Sequence, residues 1–180
     1  MAIRDIADLF RGTDKPISVE VNPHYTTADE MVTEAVKLAA MSPNFVIKIP
    51  ATEAGFKACW TLTGKGIRVN LTLVFSAAQA LQAARMGAAY VSPFVGWKEA
   101  NGEEISHLVT EIIRIYRNYE YKTKIIIAAV RNAQQIVEAA VAGADIVTAG
   151  VDVYKDAFDH PYMAKGLKLF ADNWDATPYE

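Results

Sequence analysis

The chain has 180 residues, 52% hydrophobic and 22% charged, which is the make-up of one globular domain with a real core. A net charge of −3 gives no basic footprint for nucleic acid, and no apolar run approaches the roughly 20 residues of a membrane span. One cysteine (Cys59), three scattered histidines (His24, His107, His160) and a charge-interrupted N-terminus argue against disulfides, a metal site and a secretory signal, so a cytoplasmic protein without cofactor is expected.

Ile3, Ile6, Ala7 and Phe10 recur at helical spacing, predicting a helix over 2–11. After a turn, Ile17 to Val21 alternates as a strand, with Ser18 and Glu20 on one face. A threonine cap opens a helix over 27–42, with Met31, Ala35, Leu38 and Ala39 as its apolar stripe. Residues 44–52, Asn-Phe-Val-Ile-Lys-Ile-Pro-Ala-Thr, read as a buried strand with Lys48 in its middle. If both faces of that strand are covered, desolvation favours the free amine, a nucleophile toward carbonyl carbon. The alternative is an edge-strand lysine facing water.

A helix over 53–63 closes at Gly64 and Gly66. Strand 68–75 follows, then a helix over 76–86 ended by Gly87, and strand 90–95. Residues 96–104 read as one long polar loop, a natural rim. Beyond it come a helix over 105–119 (Ile105, Leu108, Ile112, Ile113 and Tyr116 inward), strand 124–130, a helix over 132–142 and strand 144–149. From 151 to 180 the chain reads as a helical arm punctuated at Pro161, ending in a polar tail.

Six strands alternating with helices demand parallel pairing, and nothing divides the 1–180 domain. An open doubly wound sheet and a (β/α) barrel both satisfy the pattern. Two features favour the barrel. No glycine-rich turn follows the first strand, and polar residues sit inside or at the ends of several strands, as at a barrel mouth. The period of two puts Glu20, Lys48, Asn70, Thr72, Ser92 and Phe94 on the inner face, with Arg131 at the rim.

One buried polar residue is often a satisfied core group. Several converging on a lysine are harder to assign to packing, because each costs about 1–3 kcal/mol if left unpaired. Lys48 can form an imine with a ketone. Glu20 and Thr72 can hold one water for its proton transfers, Asn70 and Ser92 can bind substrate hydroxyls, and Arg131 can hold a terminal anion.

Val-Ile-Lys-Ile-Pro-Ala-Thr (46–52), Asn-Leu-Thr-Leu (70–73), Ser-Pro-Phe-Val-Gly (92–96) and Ala-Ala-Val-Arg-Asn (128–132) closely resemble the transaldolase family, including its small fructose-6-phosphate aldolase subfamily. The resemblance implies a TIM-type (β/α)8 barrel and Schiff-base chemistry at Lys48. It makes Glu20 and Thr72 the water-holding pair, Ser92 a hydroxyl ligand and Arg131 the anion ligand. Glu20 and Phe94 are the transaldolase-like choices at positions where the aldolases tend to carry glutamine and tyrosine. Small members assemble as pentamers or pairs of pentamers, and a homo-oligomer is implied here.

Two departures from the family pattern stand out. Where the family continues Ser-Pro-Phe-Val-Gly with a phosphate-binding arginine, this chain has Trp97 followed by Lys98. Fewer cations suit a singly charged sulfonate, so 6-deoxy-6-sulfofructose stands beside fructose 6-phosphate as the expected donor, with glyceraldehyde 3-phosphate as an acceptor. Trp97 offers an indole N–H, and Lys98 can stand in for the missing charge. The family's opening strands, one with an acid–base aspartate and one with Thr-Thr-Asn-Pro, have no counterpart, so six of eight βα units are expected. The alternatives are an aldolase releasing dihydroxyacetone and a non-catalytic sugar-binding remnant.

Overall fold

The computed structural model describes residues 3–178; Ala2 of the predicted first helix and Tyr179 and Glu180 of the predicted tail lie outside them. In chain order the elements are α1 (Ile3–Leu9), β1 (Ile17–Glu20), α2 (Ala28–Ala39), β2 (Phe45–Pro50), α3 (Glu53–Gly64), β3 (Val69–Val74), α4 (Ala77–Arg85) and β4 (Tyr90–Pro93). They continue as α5 (Val95–Ala100), α6 (Ser106–Asn118), β5 (Lys124–Val130), α7 (Ala133–Ala142), β6 (Ile146–Ala149), α8 (Val151–Asp156) and α9 (Pro161–Ala176).

Helix starts follow side-chain chemistry. Thr27 and Glu30 form a reciprocal capping box on α2, while Thr52, Ser76 and Asn132 cap α3, α4 and α7. Each of those last three caps sits just past a strand, so the chain turns from sheet to helix within two or three residues.

Among the described residues six strands, all parallel, lie in the order β1-β2-β3-β4-β5-β6. A doubly wound sheet reverses its order partway; this one never does. Crossovers that always step the same way place the connecting helices on one face. The burial agrees: Ile47, Ile49, Leu71, Val91 and Ile127 are buried, packed with Met31, Ala35, Leu62, Ala83 and Ile112 from the helices. The opposite face carries Ser18, Glu20, Lys48, Asn70 and Ser92. Residues from both edge strands line one common cleft, so the sheet is curled into part of a barrel. This is the expected (β/α)8 type, represented by six strands.

Glycine is required where helices press on strand ends. A Cβ on Gly55 would stand 1.9 Å from the Pro50 carbonyl oxygen, and one on Gly96 would stand 2.1 Å from that of Ala129. The second contact explains a correction. Residues 96–104 are not one long loop, because Val95–Ala100 forms α5, whose first turn buries Val95 and Gly96 against β5. That contact joins residues more than thirty positions apart, and polar Lys98 and Glu99 within the segment disguise it in the sequence.

Burial is uneven. Cys59 lies wholly inside, and desolvation pushes its thiol up to about 12. By contrast α8 and α9 bury no residue, and Met163, Leu167, Phe170 and Trp174 all stand exposed on α9. Among the described residues, no helix is long and apolar enough to cross a membrane.

Candidate active site

Parallel register sets the site. Glu20 pairs with Lys48, Lys48 with Asn70, and Asn70 with Tyr90 on consecutive strands, so these side chains form one row on the inner face. Lys48 Nζ stands 3.0 Å from Glu20 Oε2, with the two side chains 26% and 46% exposed. The condition of a strand covered on both faces is not met. Helices cover only the outer face of β2; on the inner face the amine meets a carboxylate and an open cleft.

Asn70, nearly buried, is held from both sides. Its Oδ1 accepts from Ser92 Oγ at 2.8 Å, and its Nδ2 donates to Ser18 Oγ at 3.2 Å. Ser18 was legible as the period-two neighbour of Glu20 yet absent from the predicted site. Thr72, two residues past Asn70 on β3 and opposite Pro50, is fully buried, and its Oγ1 has no hydrogen-bond partner among the described residues. An unmet buried hydroxyl costs about 1–3 kcal/mol, so this position favours a small polar guest.

The cleft has a volume of about 780 Å³, floored by Ser18, Glu20, Lys48, Asn70 and Ser92 and lined also by residues of β6. At its rim stand Phe94, Trp97 and Arg131. Phe75, Phe94 and Trp97 form an aromatic cluster: Trp97 stacks on Phe75 at 6.1 Å and meets Phe94 edge-on at 5.4 Å. Arg131 is exposed, and its Cγ lies 2.8 Å from where a Gly96 Cβ would be, so α5 and the arginine share one corner.

Of the predicted residues, Glu20, Lys48, Asn70, Ser92, Phe94, Trp97 and Arg131 share the cleft. Thr72 is buried and does not line it. Lys98 is not brought in: its ammonium pairs with Glu103 across the turn after α5, and it does not line the cleft. Sequence reasoning also passed over Phe75 and the buried Gln135, whose Oε1 accepts the Arg131 backbone N–H at 2.7 Å. The signal for Gln135 was available in its place four residues after Arg131, just inside a capped helix.

The arrangement therefore offers an amine beside a carboxylate, fixed hydroxyl and amide groups within reach, and one guanidinium with an aromatic cluster at the mouth. Comparison with known proteins identifies relatives of the chain. The family described as transaldolase/fructose-6-phosphate aldolase matches residues 1–177. A protein of Priestia aryabhattai named 6-deoxy-6-sulfo-D-fructose transaldolase is 52% identical over 177 residues, covering 98% of this chain and 78% of its own length. A "Probable transaldolase" of Dictyoglomus turgidum is 47% identical over 173 residues, covering 96% and 80%.

Among solved structures, FabK from Thermotoga maritima matches with a TM-score of 0.54 at 22% identity, over 81% of this chain and 44% of its own. GMP reductase from Trypanosoma brucei matches with a TM-score of 0.57 at 19% identity, over 76% and 32%. This chain thus spans less than half of either structure, and the likeness is one of fold alone. The sequence matches along nearly the whole chain carry more: this protein belongs to the transaldolase/fructose-6-phosphate aldolase family, a family of enzymes.

Proposed function

We propose that the protein is a Schiff-base transaldolase that moves a dihydroxyacetone unit from a ketose with an anionic C6 group to an aldehyde such as glyceraldehyde 3-phosphate. The observation that carries this reading is the Lys48–Glu20 pair on the inner face of the sheet, 3.0 Å apart and open to the cleft. Glu20 accepts a proton from Lys48 Nζ, and the freed amine adds to the ketose C2 carbonyl. Loss of that oxygen as water leaves an iminium. The iminium draws in the electrons of the C3–C4 bond as the C4 hydroxyl gives up its proton to water, and the C4–C6 fragment leaves as an aldehyde. The resulting enamine attacks the acceptor's carbonyl carbon, whose oxygen takes up a proton. Water then hydrolyses the imine to free the new ketose and Lys48. Water released or consumed at the imine is held between Glu20 and Thr72, whose unpartnered hydroxyl supports that role. Asn70 and Ser92, already fixed to each other, take substrate hydroxyls.

The rim bears on the donor. Arg131 is left as its guanidinium, Trp97 adds an indole N–H, and Lys98 is engaged by Glu103. A singly charged sulfonate matches that set better than a dianionic phosphate, and the 52% identical relative is named for a sulfo-sugar. We therefore read 6-deoxy-6-sulfofructose as the preferred donor over fructose 6-phosphate. The exposed apolar stripe of α9 supports assembly as a homo-oligomer, pentamer or decamer, and the single buried cysteine suits a reducing cytoplasm.

Incubating each ketose with the protein, with and without glyceraldehyde 3-phosphate, tests the reading. Turnover that needs the acceptor and runs faster on the sulfonate is the expected result. Free dihydroxyacetone appearing without an acceptor marks an aldolase instead.

A further inference from the structure

The turns after β3 and β5 repeat one another. Val74-Phe75-Ser76-Ala77-Ala78-Gln79 follows the first, and Val130-Arg131-Asn132-Ala133-Gln134-Gln135 the second. Each is preceded by a non-glycine residue at a φ of 57°, Leu73 and Ala129, where the strand register slips. In each, the cap accepts the glutamine's backbone N–H: Ser76 Oγ from Gln79 at 3.2 Å, and Asn132 Oδ1 from Gln135 at 2.9 Å. In each, the glutamine Oε1 accepts the backbone N–H of the residue before the cap, Phe75 at 2.8 Å and Arg131 at 2.7 Å.

The two turns differ in where the amide NH2 goes. Gln79 Nε2 donates to the Ala51 carbonyl at 3.3 Å, tying one strand end to the next. Gln135 Nε2 donates instead to a side chain, the Glu99 carboxylate on α5. The six-residue α5 has no side-chain hydrogen bond at its N-cap, Phe94, so it lacks the usual anchor. Lys98 and Asn101 bond within α5 and its following turn. The Gln135–Glu99 bond ties that helix to another element, and Gln135 is only 2% exposed, so both halves of its amide are committed away from water. One side chain thus grips the backbone of Arg131 with its oxygen and the helix carrying Trp97 with its nitrogen.

We infer that Gln135 is a positioning residue that fixes the separation of Arg131 and Trp97, and so sets affinity for the terminal anion of the donor without touching it. This rests on the reading of Arg131 and Trp97 as the anion end of the site.

Borohydride trapping on the full chain, followed by intact mass, tests it with two probes. One is 6-deoxy-6-sulfofructose, which has the anion; the other is dihydroxyacetone, which lacks it. In Gln135→Ala the sulfofructose concentration that half-saturates trapping rises about tenfold, the scale of one lost buried hydrogen bond, while that for dihydroxyacetone is unchanged. Gln135→Glu, which sets a second carboxylate against Glu99, shows the same selective rise. Adding Glu99→Gln to it restores the amide–carboxylate pair with the roles exchanged, and returns the value to within about twofold of wild type.

An equal rise for both probes marks a general structural role and overturns the inference. So does no rise in either single variant, or a double variant as weak as Gln135→Glu alone. If Gln135→Ala is insoluble, the exchanged pair decides. A wild-type chain that traps neither probe overturns the reading of the site, and this inference with it.

Discussion

The central strands β2–β4 and the C-terminal stretch β6–α9 are made of similar residues and end in opposite environments. Ile47, Leu71 and Val91 are wholly buried under helices, whereas Leu167, Phe170 and Trp174 on α9 stand in the open. Burial here follows position in the sheet: a strand with partners on both sides and a helix over it is sealed, and segments beyond the last strand are not. The same rule shapes the site. Asn70, on a central strand, has both amide groups satisfied, while Glu20, on the edge strand, stays exposed and Lys48 beside it half-buried.

Substitutions can break that comparison. Leu71→Ala in the sealed region should cost about 2–5 kcal/mol in denaturant unfolding, the transfer term plus a cavity. Asn70→Ala, which orphans Ser92 and Ser18 on the cleft floor, should cost about 1–3 kcal/mol. Thr27→Ala removes half the α2 capping box and should cost about 1 kcal/mol. The Thr27 hydroxyl, then its backbone N–H, holds the Glu30 carboxyl below its ordinary value of 4.5. A depressed carboxyl stabilises the fold above that value and loses its effect as pH falls through the folded-state value, so the Thr27→Ala deficit should shrink in acid. Smallest is Leu167→Ala on α9, within about 0.5 kcal/mol for an isolated chain, because it buries nothing there. A clearly larger cost, growing with protein concentration, would mean that α9 is covered by another copy in solution.

Most of the architecture was legible before any coordinates. β-Branched runs marked the strands, Thr27, Ser76 and Asn132 stood at the predicted helix starts, and period-two alternation placed Glu20, Lys48, Asn70 and Ser92 on one face. Contacts distant in sequence were not legible. Helix α5 depends on Gly96 meeting the β5 backbone at Ala129, and Lys98 turns away because Glu103 folds back upon it. The setting of Lys48 stays open in the sequence for a related reason: a strand's own residues do not say what stands opposite its inner face. The bond of Gln135 to Glu99 carries no signal of its own, because the partners lie 36 positions apart in the chain.

The account stands or falls on what Lys48 does with a ketone. Borohydride reduction in the presence of 6-deoxy-6-sulfofructose, followed by peptide mapping, should place a reduced dihydroxyacetone adduct on the peptide containing Lys48 and on no other lysine, and Lys48→Met should abolish it. Label spread over surface lysines such as Lys57 and Lys168, or an adduct that survives Lys48→Met, would contradict the account.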